Sequence, residues 1–205
     1  MTRPRHIAAD VATDEAGATL VEFGLISTVL FSTLLGFMDL GHSLYMQSVL
    51  QGAVQKSARD STLESGKAEA QRQLLDEAVR EQVQHLAANS TVSFSRRYFR
   101  DFTKAAQATA EAFQDINGNG RCDNDEPFQD NNHNTVWDRD GGDNGQGGAK
   151  DDVVYTVTIT YPRLFPMAKL IGLSEHVTVE ARTVLENQPF GEQGSYGVPV
   201  VGHCT

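Results

Sequence analysis

The chain is short of the residues on which most enzymatic chemistry rests. Its 205 residues include two cysteines, Cys122 and Cys204, and no Cys-x-x-Cys pair, which excludes a thiolate zinc site. The six histidines (6, 42, 85, 133, 176, 203) are scattered without ligand spacing. There is no Gly-x-Ser-x-Gly, no phosphate loop, no dinucleotide fingerprint and no His-Glu-x-x-His, so the sequence supports no enzyme. Positive charge is scarce as well. Seventeen basic against 27 acidic residues leave a net charge of −10, and this argues against nucleic acid as a partner, because phosphate binding needs a basic face.

What is present begins with an apolar run. Ala16 to Met38 is 23 residues with a single charge, Glu22, long enough to cross a bilayer core as a helix. Arg3 and Arg5 precede it and favour a cytoplasmic N-terminus, although Asp10, Asp14 and Glu15 dilute that signal. A cleaved secretory signal needs a short apolar region closed by a small-x-small site; here the run continues into Asp39-Leu40-Gly41-His42-Ser43 without one. A buried core helix would be unusual in being apolar around its whole circumference. A membrane helix fits best, and Glu22 is its anomaly. A carboxylate at the centre of such a helix costs about 2.5–3.5 kcal/mol, less near an end, so a retained one suggests a partner.

The residues around that charge carry a family resemblance. Gly17-Ala18-Thr19-Leu20-Val21-Glu22-Phe23 resembles the processing site of type IV prepilins, most closely the Flp and TadE-like branch of the tight-adherence pilus system. Asp39-Leu40-Gly41, Leu44-Tyr45 and Ala53 to Arg59 look like the continuation of the TadE-like helix, and Val184-Leu185-Glu186-Asn187-Gln188-Pro189-Phe190 resembles its closing strand motif. The resemblance implies that a prepilin peptidase cuts between Gly17 and Ala18 and that Glu22, fifth in the mature chain, is the assembly glutamate. The cut would create an α-ammonium on Ala18 with which a neighbouring subunit's Glu22 can pair inside an apolar bundle. Opposite charges in a low dielectric attract strongly and fix axial register.

Past the bilayer, Leu40, Leu44, Met46, Leu50 and Val54 keep helical spacing, and Ser65-Gly66 breaks the helix. A second amphipathic helix is predicted from Lys67 to Ala88 with the stripe Leu75, Val79, Val83 and Leu86. Thr91 to Ser95 reads as a short strand, and Asp101 to Phe113 as an Ala-rich helix anchored by Phe102. Asp152 to Tyr161 and His176 to Leu185 read as two strands joined by a long corner, and the apolar corner Leu164 to Leu173 is expected to pack under the sheet, with contact to the membrane as the alternative. Arg96, Arg97 and Arg100 around Tyr98 and Phe99 read as a solvated edge or a counter-charge to the acidic loop. Gly191 to Thr205 looks like an exposed tail.

From Asp115 to Asp152 there are ten acidic and three basic residues. Asp115 to Glu126 satisfies D-x-[DN]-x-[DN]-G-x5-E. Oxygens of Asp115, Asn117 and Asn119, the Arg121 carbonyl, Asp123 and a bidentate Glu126 can surround Ca²⁺, and Gly120 permits the sharp turn. Asp130, Asn132, Asn134, Val136 and Asp138 repeat the rhythm, but Thr135 replaces the glycine and Gly141 the closing glutamate. No helix fits between the loops, so a tandem of calcium loops without flanking helices is expected. At the second loop, calcium and an unliganded Asp/Asn/Gly loop are level. Phe128 and Trp137 supply apolar anchors that a disordered loop would not need, and Gly141 to Gly148 reads as a flexible exit. A Cys122–Cys204 disulfide would tie the C-terminus to this loop if the head lies outside the cytoplasm; two unpaired thiols are the alternative.

These readings make an α+β protein: a long N-terminal transmembrane and pilin helix, then a small head of helix and antiparallel strands with a calcium-loop insertion. The expected boundaries are a leader at 1–17, the helix at 18–64, a periplasmic or extracellular head at 65–190 with the acidic loop at 115–151, and a tail at 191–205. The function expected is a minor pilin or pseudopilin in pilus assembly and surface adhesion. Its partners would be the prepilin peptidase, other pilin subunits and the inner membrane. The rivals are a single-pass membrane protein with a calcium-binding adhesive ectodomain and, third, a secreted calcium-dependent hydrolase.

Overall fold

The apolar run and the amphipathic stretch after it form one helix, α1, Glu15–Ser61. A computed structural model describes residues 15–61, 69–165, 169, 172–188, 191–195 and 197–205; the leader before Glu15 and the break expected at Ser65-Gly66 lie outside these. The other elements are α2 (Glu69–Gln84), β1 (Thr91–Phe99), α3 (Phe102–Gln107), β2 (Pro127–Asp130), β3 (Asp143–Asn144), β4 (Asp152–Pro162), β5 (His176–Glu186) and β6 (Val200–His203). The architecture is α+β, a long apolar helix followed by a helix and an antiparallel sheet.

The chain divides into two units, residues 1–44 with 163–175 and residues 45–162 with 176–205. In the first, α1 is apolar on every side: Leu20, Val21, Phe23, Leu25, Val29, Phe31, Leu34 and Phe37 are all exposed. Its hydroxyls bond back to the helix's own carbonyls, Ser27 and Thr28 to Gly24, Ser32 to Thr28, and Thr33 to Val29. Polar groups satisfied within the helix are compatible with hydrocarbon. Among the described residues this is the one helix long and apolar enough to cross a membrane, which suits it to a single-pass anchor. In the same unit the Arg163 guanidinium pairs with Asp39 and its Nε donates to the Ser174 carbonyl at 2.9 Å.

The second unit is built on a sheet of order β3-β1-β4-β5, antiparallel throughout, with β2 and β6 forming a separate pair. The β4–β5 ladder runs from Asp152↔Glu186 to Pro162↔His176, the pair joined by a long corner that β-branched alternation predicts. Side chains alternate across a strand, so Tyr155, Val157, Ile159 and Tyr161 share one face. They form the core with Val179 and Ala181 of β5, Met46, Leu50, Val54 and Ala58 of α1, and Val79 and Val83 of α2. The opposite face carries a small cluster of Phe99, Val154 and Ala105 from α3.

Several expectations are corrected. Helix α2 ends at Gln84, so Leu86 falls outside the stripe and is partly exposed. Helix α3 is one short piece: Asp101 caps it by accepting from the Thr103 N–H at 2.6 Å, and Ala108 ends it in the left-handed region at φ 46°. Phe102 is exposed rather than an anchor. Leu164 and Leu173 of the corner are exposed rather than packed under a sheet. Residues 200–203 are a strand paired with β2, not a free tail.

Strand alternation also separates the arginine cluster. Arg96 points to the helix side, where Asp76 of α2 accepts from its Nη1 at 2.9 Å and Nη2 at 2.6 Å. The same carboxylate accepts from the Tyr155 hydroxyl at 2.7 Å, and the guanidinium lies 4.3 Å from the Tyr155 ring centroid. Burial, helped by the Asp76 carboxylate, raises the Tyr155 phenol. Removing one partner of a largely buried pair strands the others, at about 3 kcal/mol. Asp76→Ala is therefore expected to lower the melting temperature of the full chain in detergent by roughly 6–12 °C, measured by circular dichroism; an unchanged melt would show that the triad does not hold α2 to the sheet.

Candidate metal loops and N-terminal helix

The loop region is ordered by its own side chains. In the first loop the Asp115 carboxylate accepts from three backbone N–H groups, Gly118 at 2.7 Å, Asn119 at 3.1 Å and Gly120 at 2.8 Å. The Asn117 and Asn119 amide oxygens accept from Asn119 N and Arg121 N, and both amide nitrogens donate to Asp123. Glu126, 1% exposed, closes the loop: Oε1 accepts from Ile116 N at 2.8 Å and Asn117 N at 3.2 Å, Oε2 from Asp123 N at 3.3 Å.

The second loop has the same construction fifteen residues on. Asp130 accepts from Asn134 N at 3.2 Å and Thr135 N at 2.8 Å, Asn132 from Asn134 N and Asn134 from Val136 N. Asn132 and Asn134 both donate to Asp138. The backbone matches too: Gly118 and Gly120 lie at φ 73°, and His133 and Thr135 at φ 63° and 64°. A β-branched residue in the left-handed region is strained by roughly 1–3 kcal/mol, so Thr135 holds the conformation of the missing glycine under load.

The missing glutamate is supplied from elsewhere in the chain. Glu111, 2% exposed, accepts from Asn131 N at 2.7 Å through Oε1 and from Asp138 N at 3.1 Å through Oε2. These bonds correspond to those Glu126 makes to Ile116 and Asp123. The backbones agree: Glu126 N donates to the Asp123 carbonyl and Glu111 N to the Asp138 carbonyl. The exchange follows from an antiparallel bridge, Phe113↔Phe128, flanked by Gln114 N to Pro127 O and Gln129 N to Ala112 O. Pairing about that bridge sets Glu111 across from Asp130 and Glu126 across from Asp115. A sequence signal for this existed, since Glu111-Ala112-Phe113-Gln114-Asp115 and Glu126-Pro127-Phe128-Gln129-Asp130 are a repeat, but reading each loop as a linear motif hides it.

Apolar contacts lock the pair. Phe128 is buried, and Trp137 packs edge-on against Phe113 with centroids 5.4 Å apart while its Nε1 donates to the Glu111 carbonyl at 2.9 Å. Charge is matched from β1: Arg97 pairs with Asp138 and Asp140, and Arg100 with Asp151, which is fully buried. Glu111 has no such cation, and burial, then the nearby Asp138 and Asp130 carboxylates, raises its carboxyl against two backbone N–H bonds that lower it. The glycine-rich exit is ordered as well. Asn144 pairs with Arg97 in the sheet, and the buried Gln146 and Asn187 exchange hydrogen bonds. Among the described residues no three His, Cys, Asp or Glu side chains gather into a metal centre. The loop oxygens are mixed carboxylate, amide and backbone groups, of the hard kind that suits calcium.

At the other end of the chain, Gly17 and Ala18 lie in the first turns of α1, and Ala18 and Glu22 are both exposed. They are four residues apart and share a helix face. Residues 17–59 match the family model described as TadE-like protein, a match that covers α1 and none of the sheet. No curated protein and no solved structure matches the chain.

Cys122 of the first loop is joined to Cys204 with Cα atoms 5.3 Å apart, within disulfide range. Cys204 N donates to the Glu126 carbonyl and Asp125 N to the Cys204 carbonyl, so the bond fastens β6 onto the loop. The cross-link spans 82 residues, for which chain entropy gives about 4.5 kcal/mol. Cys204→Ser is expected to lower the melting temperature by roughly 9–18 °C, and dithiothreitol to do the same to the wild type. Resistance of both thiols to alkylation before reduction is the direct check.

Proposed function

We propose, from the match of residues 17–59 to the TadE-like family model, that the chain is a minor pilin or pseudopilin of the tight-adherence pilus system. It is inserted in the inner membrane with its head in the periplasm, is cut by the prepilin peptidase between Gly17 and Ala18, and packs through α1 against other pilin subunits. The observation that carries this reading is the combination of the family match with the charge pattern of α1. The helix satisfies its hydroxyls internally and is exposed and apolar on all sides, yet keeps Glu22 one turn after Ala18. Such a helix needs either lipid or other helices around it, and its lone carboxylate needs a cation. The new α-ammonium of a neighbour's Ala18 supplies one. The role is structural rather than catalytic, and incorporation into the extracellular pilus would present the head to a surface for adhesion.

The head reads as a calcium-stabilised module. Asp115, Asn117, Asn119, the Arg121 carbonyl, Asp123 and Glu126 hold the first ion. Asp130, Asn132, Asn134, the Val136 carbonyl and Asp138 hold the second, with Glu111 in the place that Gly141 leaves empty. The hydrogen bonds from backbone N–H groups use only part of the lone-pair capacity of these oxygens. Burial, and after it repulsion from Asp138 and Asp130, raises the Glu111 carboxyl, and a cation held by the loop would offset both.

Two measurements test these readings. Mass spectrometry of the mature protein is expected to find Ala18 at the N-terminus, and Glu22→Ala to leave the chain inserted and cleaved but absent from pili. An intact Met1 would instead favour a single-pass membrane protein with a calcium-binding adhesive ectodomain. Calcium at a hundredfold excess over its dissociation constant should stabilise by about 2.7 kcal/mol per site. Glu126→Gln and Glu111→Gln should each remove one site's share of the melting shift, and the double variant all of it; a shift unaltered by Glu111→Gln sinks the reciprocal assignment.

A further inference from the structure

We propose that the corner between β4 and β5 is a membrane-surface anchor, whose Leu164 and Leu173 enter the headgroup region of the bilayer that α1 spans. The proposal rests on the reading of α1 as a membrane helix and adds a second lipid contact to it.

The level of the bilayer surface can be placed along α1. From Ala18 to Met38 the helix is about 31 Å long, close to the thickness of a hydrocarbon core at about 30 Å. Asp39 is the first charge after Glu22, so it marks the depth at which water begins. Arg163 is fastened at that depth. Its guanidinium pairs with Asp39, its Nε donates to the Ser174 carbonyl at 2.9 Å, and its N–H donates to the Glu175 carbonyl at 2.9 Å. The two charged side chains are 22% and 13% exposed, so the pair is largely withdrawn from water and holds both ends of the corner to one helix turn.

On either side of this clamp stands an aliphatic side chain without cover. Leu164 follows Arg163 and is 52% exposed; Leu173 precedes Ser174 and is 53% exposed. Isolated exposed leucines need no explanation in water. These two adjoin a clamp fixed to the end of an apolar helix whose own Leu34, Phe37, Met38 and Leu40 are exposed. Lys169, also exposed, lies between them in sequence and pairs with Glu175. Exposed leucines beside paired charges suit the boundary of acyl chains and headgroups, where the apolar part is buried and the ion pairs stay at the polar level.

The test uses the full chain with Trp137→Phe, reconstituted in phosphatidylglycerol-containing vesicles, with one tryptophan at a time introduced by Leu164→Trp, Leu173→Trp or Phe31→Trp. The expected result is blue-shifted emission from all three. Lipids brominated near the headgroup should quench the two corner positions best, and lipids brominated deep in the chain the Phe31 position. Water-like, unquenched emission at both corner positions with Phe31→Trp quenched overturns the anchor and leaves the membrane helix standing. If Phe31→Trp also escapes quenching, the membrane reading falls and the anchor with it. A blue shift that ignores the brominated lipids and grows with protein density assigns the leucines to a second copy of the chain, and likewise overturns the proposal.

Discussion

One helix has to satisfy two solvents. Helix α1 runs without interruption from Glu15 to Ser61, and its first half offers leucine, valine and phenylalanine in every direction. In its second half the same side-chain chemistry is sorted, with Met46, Leu50, Val54 and Ala58 buried in the core. The sheet could not close its inner face without those residues, because α2 contributes only Val79 and Val83 to the same cluster. The C-terminal part of α1 is thus a structural element of the head, not a linker to it.

The loop region follows a different logic. Its fold does not come from a hydrophobic core but from carboxylates and amides that gather the backbone N–H groups of their own loops. Such loops are stable only if something closes them. Here the closing groups, Glu126 and Glu111, lie on two short segments paired at Phe113↔Phe128, so each loop is closed by a residue beside the start of the other. That arrangement explains how the second loop tolerates losing a glutamate at Gly141. It also explains why Phe128 and Trp137 matter: they fix the axis about which the two loops correspond. The disulfide adds the C-terminal strand as a third support.

Charge in the head is arranged in matched pairs across elements. Three arginines near the end of β1 face four acids in three places, Asp76 on α2, Asp138 and Asp140 in the second loop, and Asp151 before β4. Alternation along the strand sends Arg96 to one face and Arg97 to the other. An acidic protein thus places its few cations where buried carboxylates are concentrated. Glu111 has no cation beside it among the described residues and is held by backbone N–H groups instead.

Much of this was legible in the amino-acid order. The length of the apolar run determined a helix able to span a membrane, and periodicity the stripe Val79 and Val83, the long β4–β5 pair and the linear rhythm of Asp115 to Glu126, because each depends on neighbours within a few residues. The glycine and the glutamate around the apolar start likewise form a local signature. Only the tertiary structure decided where the remaining groups went. The helix expected to Phe113 stops at Ala108, since Phe113 is taken by its bridge to Phe128. The supposed tail becomes β6, since β2 and Cys122 offer it partners. Glu111 fell inside the helix expected from Asp101 to Phe113, and its role appears only once an antiparallel pairing sets it across from Asp130. Contacts of that kind are chosen by which distant segments can satisfy each other's buried backbone and charge, and no local pattern encodes that choice.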